Sequence, residues 1–209
     1  MYTPKLFANE NTRELIGFMR EHPFAMLVTQ HEGRPFASHL PFDIVEKTAD
    51  SGRFYLQAHL ARANPQWRSF AENEEVLVVF TGPHSYVSSS WYAEMNVSTW
   101  NYVAVHAYGK LRILDDGELR DALARLTRRY ESGMEKPLFM EAMPDDYITR
   151  QLRGIVGFEV EITALEGKWK LSQNRSDADF RRIVGELEKS EHADSQAVAA
   201  MMTGMRHEA

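Results

Sequence analysis

Apolar and polar residues alternate with period two through long stretches of the chain, interrupted by shorter segments of helical period. "NENTRELIGFMREHP" offers Asn11 or Thr12 as a cap, Leu15, Ile16 and Met19 at helical spacing and Pro23 as a stop, which predicts a short amphipathic helix. "FAMLVTQHEGRPFASHLPFDIVE" reads as two strands joined around Glu32-Gly33, a hairpin. "GRFYLQAH" predicts a third strand and "ARANPQWRSFAENE" a helix. "EVLVVFTGPHSYVSSSWY" reads as a buried strand that passes Gly82-Pro83 into another. In "TWNYVAVHAYGKLRIL" the residues Tyr102, Ala104, His106 and Tyr108 share one face and Val103, Val105 and Ala107 the other, so the second face belongs to the core.

After Asp115 the period changes. Asp116 is placed to cap "GELRDALARLTRRY", where Leu119, Leu123, Leu126 and Tyr130 follow helical spacing. "PDDYITRQLRG" predicts another helix, with Pro144 early and Gly154 as its stop. "IVGFEVEITALEGKWKLS" returns to strand alternation, and Ser176 with Asp179 opens the helix "DADFRRIVGELEKS". The tail "SQAVAAMMTGMR" has weak helical periodicity. The pattern predicts one domain over 1–209, mainly β with added helices (α+β). It has about six or seven mostly antiparallel strands forming a small barrel or sandwich, with helices inserted and gathered over about 176–209.

Composition narrows the class. The 209 residues are 44% hydrophobic and 26% charged, with a formal net charge of -6 and no cysteine. That excludes a disulfide framework, a thiolate metal site and a catalytic thiol. The N-terminus "MYTPKLFANENTREL" has neither a basic region nor an apolar one, and no apolar run approaches the roughly 20 residues that span a bilayer. The expectation is a cytoplasmic protein with no membrane partner. The acidic balance argues against a surface built throughout for nucleic acid, while allowing a local basic patch.

Several chemistries are missing from the sequence: a phosphate loop ending in Lys-Ser/Thr, GxGxxG after a strand, HExxH and the GxSxG elbow. The histidines at 22, 31, 39, 59, 84, 106, 192 and 207 lack the spacing of a helical metal pair, so no metal site is expected. The stretch "FYLQAHLARANPQW" is more informative. It places Arg62 where a strand hands over to a helix, beside the first amides of that helix, a position that suits an anion. An ordinary alternative is a solvated Arg62 with Asn64 capping the helix ahead of Pro65.

Four segments together, "GRFYLQAHLARANPQWRSF", "VLVVFTGPHSYVSSSWY", "VSTWNYVAVHAYGKLRIL" and "KWKLSQNRS", resemble the PaiB-type family of negative transcriptional regulators. That family belongs to the FMN-binding split β-barrel superfamily, together with the pyridoxamine phosphate oxidases. The likeness runs over nearly the whole chain, with "TWNY" and "KLSQNR" its most specific pieces. It implies a homodimer with FMN in a cleft between subunits. It also implies His59, Ala61 and Arg62 near the flavin phosphate, with Arg62 where a lysine is common in relatives. Ser38, His39 and Leu40 would lie beside the ring and Trp100 and Asn101 on the strand edging the cleft. Lys170, Ser172, Gln173 and Asn174 would lie near the ligand, from the same or the opposite subunit. A flavin needs a flat wall, amide partners and cations for its phosphate. Trp100 or Trp91, Asn101, Gln173 and Asn174, and Arg62 with Lys170 supply these types, although tryptophans also serve as ordinary core and "KWKLSQNR" as a helix approach.

Three functions follow. A regulator needs a basic recognition element, and the best is "ELRDALARLTRRYESGMEK" with Arg120, Arg125, Arg128 and Arg129. Its Glu118, Asp121 and Glu131 favour a salt-bridged solvated face, so DNA is a weakly supported partner. A flavin-dependent oxidoreductase acting on a small molecule would draw on His39, His59 or His106 as a proton carrier. A haem-binding protein would use one of the histidines as its axial ligand, and the spacing singles out none.

Overall fold

A computed structural model describes residues 1–47, 52–72 and 75–207. In chain order the elements are β1 (Ala8–Asn9), α1 (Thr12–Glu21), β2 (Phe24–His31), β3 (Arg34–Pro41), β4 (Asp43–Glu46), β5 (Phe54–Ala61), a 3-10 helix (Pro65–Glu72), β6 (Val76–Val87), β7 (Thr99–Ile113), α2 (Asp116–Glu131), α3 (Asp145–Leu152), β8 (Ile155–Lys170), α4 (Asp177–Glu188) and α5 (Ala193–His207). The strands form an antiparallel, unclosed eight-stranded sheet in the order β3-β2-β6-β7-β8-β5-β4, with β1 paired to β8. This is the split β-barrel with helices that the pattern and the resemblance together lead one to expect.

By packing, the chain divides into two compact units. One comprises Met1–Leu15, Thr81–His106 and Glu166–Ala209, and the other Ile16–Phe80 and Ala107–Leu165. The second unit holds the β2–β3 hairpin, whose turn places Glu32 at φ 51° and Gly33 at φ 74°. Two successive left-handed residues match the twist of the flanking strands, and the register runs from Phe24 opposite Pro41 to His31 opposite Arg34. Its core is aromatic: Phe158 lies 6.1 Å from Phe42 and 5.2 Å from Phe70, ring centre to ring centre. Helix α2 comes close to β8, because a Cβ on Gly157 would stand 2.5 Å from Leu119 Cδ1. In the first unit, α4 buries Ile183 and Leu187, and α5 buries Val198, Ala199 and Met202. The weakly periodic tail is therefore an ordered helix with a core face.

Four local readings change. Gly82-Pro83 does not break the chain into two strands, since β6 runs through it: a proline in extended backbone removes one ladder donor and leaves the strand intact. Residues Asp43–Glu46 form their own strand, paired with β5 instead of extending the hairpin. The helix after β5 is 3-10 over Pro65–Glu72, and the last two residues predicted for it, Asn73 and Glu74, lie outside the described residues. The cap of α2 is Asp115, not Asp116. The Asp115 side chain accepts from Glu118 N, and Glu118 reciprocates at the Asp115 amide, a complete capping box.

Candidate functional site

Where β8 ends, "KLSQNR" makes a tight turn before Ser176 caps α4. Ser172 takes φ 61° there, a left-handed conformation that a serine adopts only when its surroundings hold it. Two residues hold it, Arg175 and Asn101. Its carbonyl accepts from Arg175 N at 3.1 Å, and its hydroxyl accepts from Asn101 Nδ2 at 3.0 Å. Asn101 projects from β7 and is wholly buried. Gln173 folds back on the same turn: its Oε1 accepts from Leu171 N at 2.8 Å and its amide donates to Trp169 O. Its amide thus serves the turn itself.

This turn forms one wall of a concavity of about 140 Å³ lined by Phe7, Thr99, Asn101, Lys170, Ser172, Asn174 and Arg175. Lys170 Nζ donates to Trp100 O at 2.9 Å and to the Thr99 hydroxyl. Burial pushes its ammonium below the ordinary lysine range, and the neighbouring charges of Lys168 and Arg175 push it further. Arg175 lies over the Tyr92 ring, 4.8 Å from its centre. Cations converge here, and among the described residues no carboxylate lines the concavity. The arrangement suits an anion.

The structure thus brings Asn101, Lys170, Ser172 and Asn174 together. Trp100 is not with them, because alternation along β7 sends its ring the other way, toward His84 at 6.1 Å and Tyr86 at 5.9 Å. Phe7, Thr99 and Arg175 were missed. Thr99 and Arg175 each lie within a motif already singled out, and only the folded turn shows that they face the same space.

The remaining candidates lie in the other unit. Ser38 on β3 accepts from Asn64 Nδ2 at 2.9 Å, and Asn64 Oδ1 accepts from Gln66 N at 3.0 Å, so Asn64 caps the 3-10 helix and ties it to β3. Arg62 Nε donates to Arg153 O at 2.9 Å and Nη2 to Ile155 O at 2.8 Å. The guanidinium fastens the end of β5 to the start of β8, with Ala61 exposed beside it. His39 is exposed and stacks with Phe24 at 6.2 Å, and Leu40 is half-buried opposite Ala25. His59 lines a narrow crevice with Leu119, Ala122 and Leu123 of α2, where burial lowers its pKa. Among the described residues no group of three or more His, Asp or Glu side chains is placed to hold a metal.

Residues 1–164 match the family described as "Putative FMN-binding domain". The chain belongs to this FMN-binding split-barrel family, and to its PaiB type. Over 202 residues it is 39% identical to the protease synthase and sporulation protein PAI 2 of Bacillus subtilis, covering 97% of this chain and 96% of that protein. Among solved structures, the FAD and heme binding protein of Mycobacterium smegmatis superposes with a TM-score of 0.61 at 20% identity, covering 83% of this chain and 78% of that one. A conserved hypothetical protein of Mycobacterium tuberculosis gives a TM-score of 0.58 at 11% identity over 84% and 94%. At such identities the likeness is one of fold. FMN is the family's cofactor, and the concavity at Lys170 fits its anionic end: cations, amides and hydroxyls line it, in a volume that takes a phosphate and the adjoining ribityl atoms.

Proposed function

We propose that this protein is an FMN-binding homodimer in which Lys170 and Arg175 seat the flavin phosphate, with Ser172, Asn101 and Asn174 offering hydroxyl and amide groups around it. The observation that carries this reading is that Lys170 and Arg175 line one concavity with no carboxylate in its described lining, a crowding of cations that, with burial, goes with a lowered Lys170 pKa. A bound dianion relieves that crowding, so the pocket favours a phosphate over a neutral group. Ser38, His39 and Leu40 of one copy lie, on this reading, beside the ring of a flavin whose phosphate a partner copy holds. His59, Ala61 and Arg62 frame the end of β5, and Arg62 serves chiefly by fixing that end to the carbonyls of Arg153 and Ile155.

When bound, the flavin supplies one- or two-electron redox chemistry. The chain's own residues position it. The Asn101–Ser172 pair holds the turn that carries Lys170 and Arg175 toward one space, and Gln173 closes that turn against its own backbone. We read the role as regulatory, supported by the likeness to the protease synthase and sporulation protein of Bacillus subtilis, and as cytoplasmic, supported by the absence of cysteine. An oxidoreductase acting on a small molecule is the enzymatic alternative. No helix among the described residues is long and apolar enough to cross a membrane.

The test compares FMN with riboflavin, which lacks the phosphate, by fluorescence titration of the wild type, Lys170→Met and Arg62→Ala, with haemin in parallel. The wild type should prefer FMN, and Lys170→Met should lose about tenfold or more of that preference, the scale of one charge-assisted contact. Arg62→Ala should keep the preference and lose stability. An unchanged preference in Lys170→Met removes Lys170 from the phosphate seat. A Soret band without flavin uptake replaces the cofactor.

A further inference from the structure

Trp100 and Asn101 are neighbours on β7 that face different spaces. The Trp100 side opens on a concavity of about 610 Å³, within the range of small-molecule pockets. Trp91, Trp100 and Tyr86 contribute three aromatic rings to its wall, and Trp100 and Tyr86 are 53% and 46% exposed. Glu186 and Asp194 add two carboxylates and His84 and His192 two imidazoles, and Lys and Arg are absent from its described lining. On one side Ser85 and Ser195 present hydroxyls 2.9 Å apart, both nearly buried.

We propose that this concavity is a second ligand site, distinct from the phosphate seat, and that it takes a small organic cation such as a quaternary or protonated amine. Electron-rich ring faces attract a weakly hydrated cation, and a quaternary ammonium gives up little water on entering. The carboxylates add attraction of the same sign. Asp194 Oδ2 lies 3.5 Å from His84 Nδ1, and Glu186 accepts from Lys189 Nζ at 2.7 Å. Both are exposed pairs that solvent screens, so each carboxylate still contributes to the field in the concavity. An anion would meet two carboxylates and the negative faces of the rings. A neutral apolar ligand would leave the carboxylates without a charge partner. Nothing here depends on Lys170, Ser172 or Arg175, so the two sites are tested separately.

The full-length protein, with and without saturating FMN, is titrated with phenyltrimethylammonium and, as a control of similar shape and opposite charge, benzenesulfonate. Tryptophan fluorescence and calorimetry report binding. Saturable uptake of the cation alone, equal with and without FMN, is expected. Trp100→Ala should weaken it about tenfold, and Asp194→Asn several-fold in low salt. Circular dichroism shows that each variant is folded, and Trp91→Ala provides a second route if Trp100→Ala is not. Equal binding of both probes, absence of saturable binding, loss of binding on FMN loading, or cation affinity unchanged in both tryptophan variants each overturns the proposal.

Discussion

Asn101 Nδ2 donates to the Ser172 hydroxyl at 3.0 Å, linking a wholly buried amide on β7 to a residue whose backbone sits at φ 61°. The other contact of that amide nitrogen is Met202 Sδ at 3.5 Å, a weak acceptor. The bond therefore offsets two costs: left-handed strain at Ser172 and the burial of Asn101. Ser172→Ala keeps the strain and removes the hydroxyl, and should cost about 1–3 kcal/mol. Ser172→Gly removes the hydroxyl but also the strain, and should be less harmful by about 1 kcal/mol. Urea midpoints of the two variants measure this order. If alanine is the milder change, the backbone at 172 is not under the strain its φ implies.

A second relationship sets acid stability. Glu159 is almost wholly buried on β8. It accepts from Lys47 Nζ at 2.7 Å, Gln57 Nε2 at 2.6 Å and Arg112 Nη2 at 2.9 Å. Burial pushes its carboxyl upward, but the bonds from Lys47 and Gln57 and the charges of Arg112 and Lys47 outweigh it and leave the pKa lowered. Arg112 also grips Glu118 through two nitrogens and holds that carboxyl down to about 2 from 4.5. A depressed carboxylate contributes its stability above the unfolded pKa and loses it as pH falls through the folded value. The stability from Glu118 should be complete at neutral pH and drain between about pH 4.5 and about pH 2, and that from Glu159 should likewise be present at neutral pH and lost as acid protonates it. Glu159→Gln should cost about 1–3 kcal/mol at pH 7, below the usual range for a broken buried pair because Lys47 and Arg112 retain access to water. Its stability should also fall less steeply in acid. Parallel wild-type and variant slopes in urea melts at pH 7, 5 and 3 would show that Glu159 is not protonated in that window.

How far the sequence carries depends on the range of the forces involved. The Asn11 cap of α1, the Glu32-Gly33 turn and the Ser176 cap of α4 are local devices, and each was legible from a few adjacent residues. Asp115 and Asp116 are chemically identical as caps, and only the backbone of the folded helix chooses between them. Strand β4 was hidden because its residues pair with β5, across a connection, and a strand of this length has little periodicity of its own. At the candidate site, adjacency in "KLSQNR" found Lys170, Ser172 and Asn174. It also drew in Gln173, whose amide is occupied by the turn, and it grouped Trp100 with Asn101 although alternation separates their side chains. Arg62 shows the same limit. Its fit to an anion was a property of residue type and position, while its bonds to Arg153 and Ile155 depend on a segment some ninety residues away.

The arginines of α2 bear on the proposed regulatory role. Arg120 pairs with Asp145, Arg125 lies 3.6 Å from Asp43, Arg128 lies 2.5 Å from Glu141, and Arg129 lies 3.5 Å from Asp43. Arg129 also donates to Arg20 O at 2.6 Å. Exposed pairs of this kind contribute little to stability, so the pairing itself would not prevent a phosphate from displacing a carboxylate. The carboxylates would nonetheless remain beside the helix, with Glu118, Asp121 and Glu131 on α2 itself, and a DNA backbone would meet a mixed field instead of a basic face. DNA binding that neutralises several phosphates shows a steep dependence on salt. This protein should show no sequence-specific binding by fluorescence anisotropy at about 150 mM salt, a physiological ionic strength, and only a shallow salt slope below it. Replacing Arg128 and Arg129 with alanine together should leave that slope unchanged. A steep slope that flattens in the double variant would make α2 a DNA-contacting helix. The expected result directs the search for a regulatory partner to small molecules and proteins.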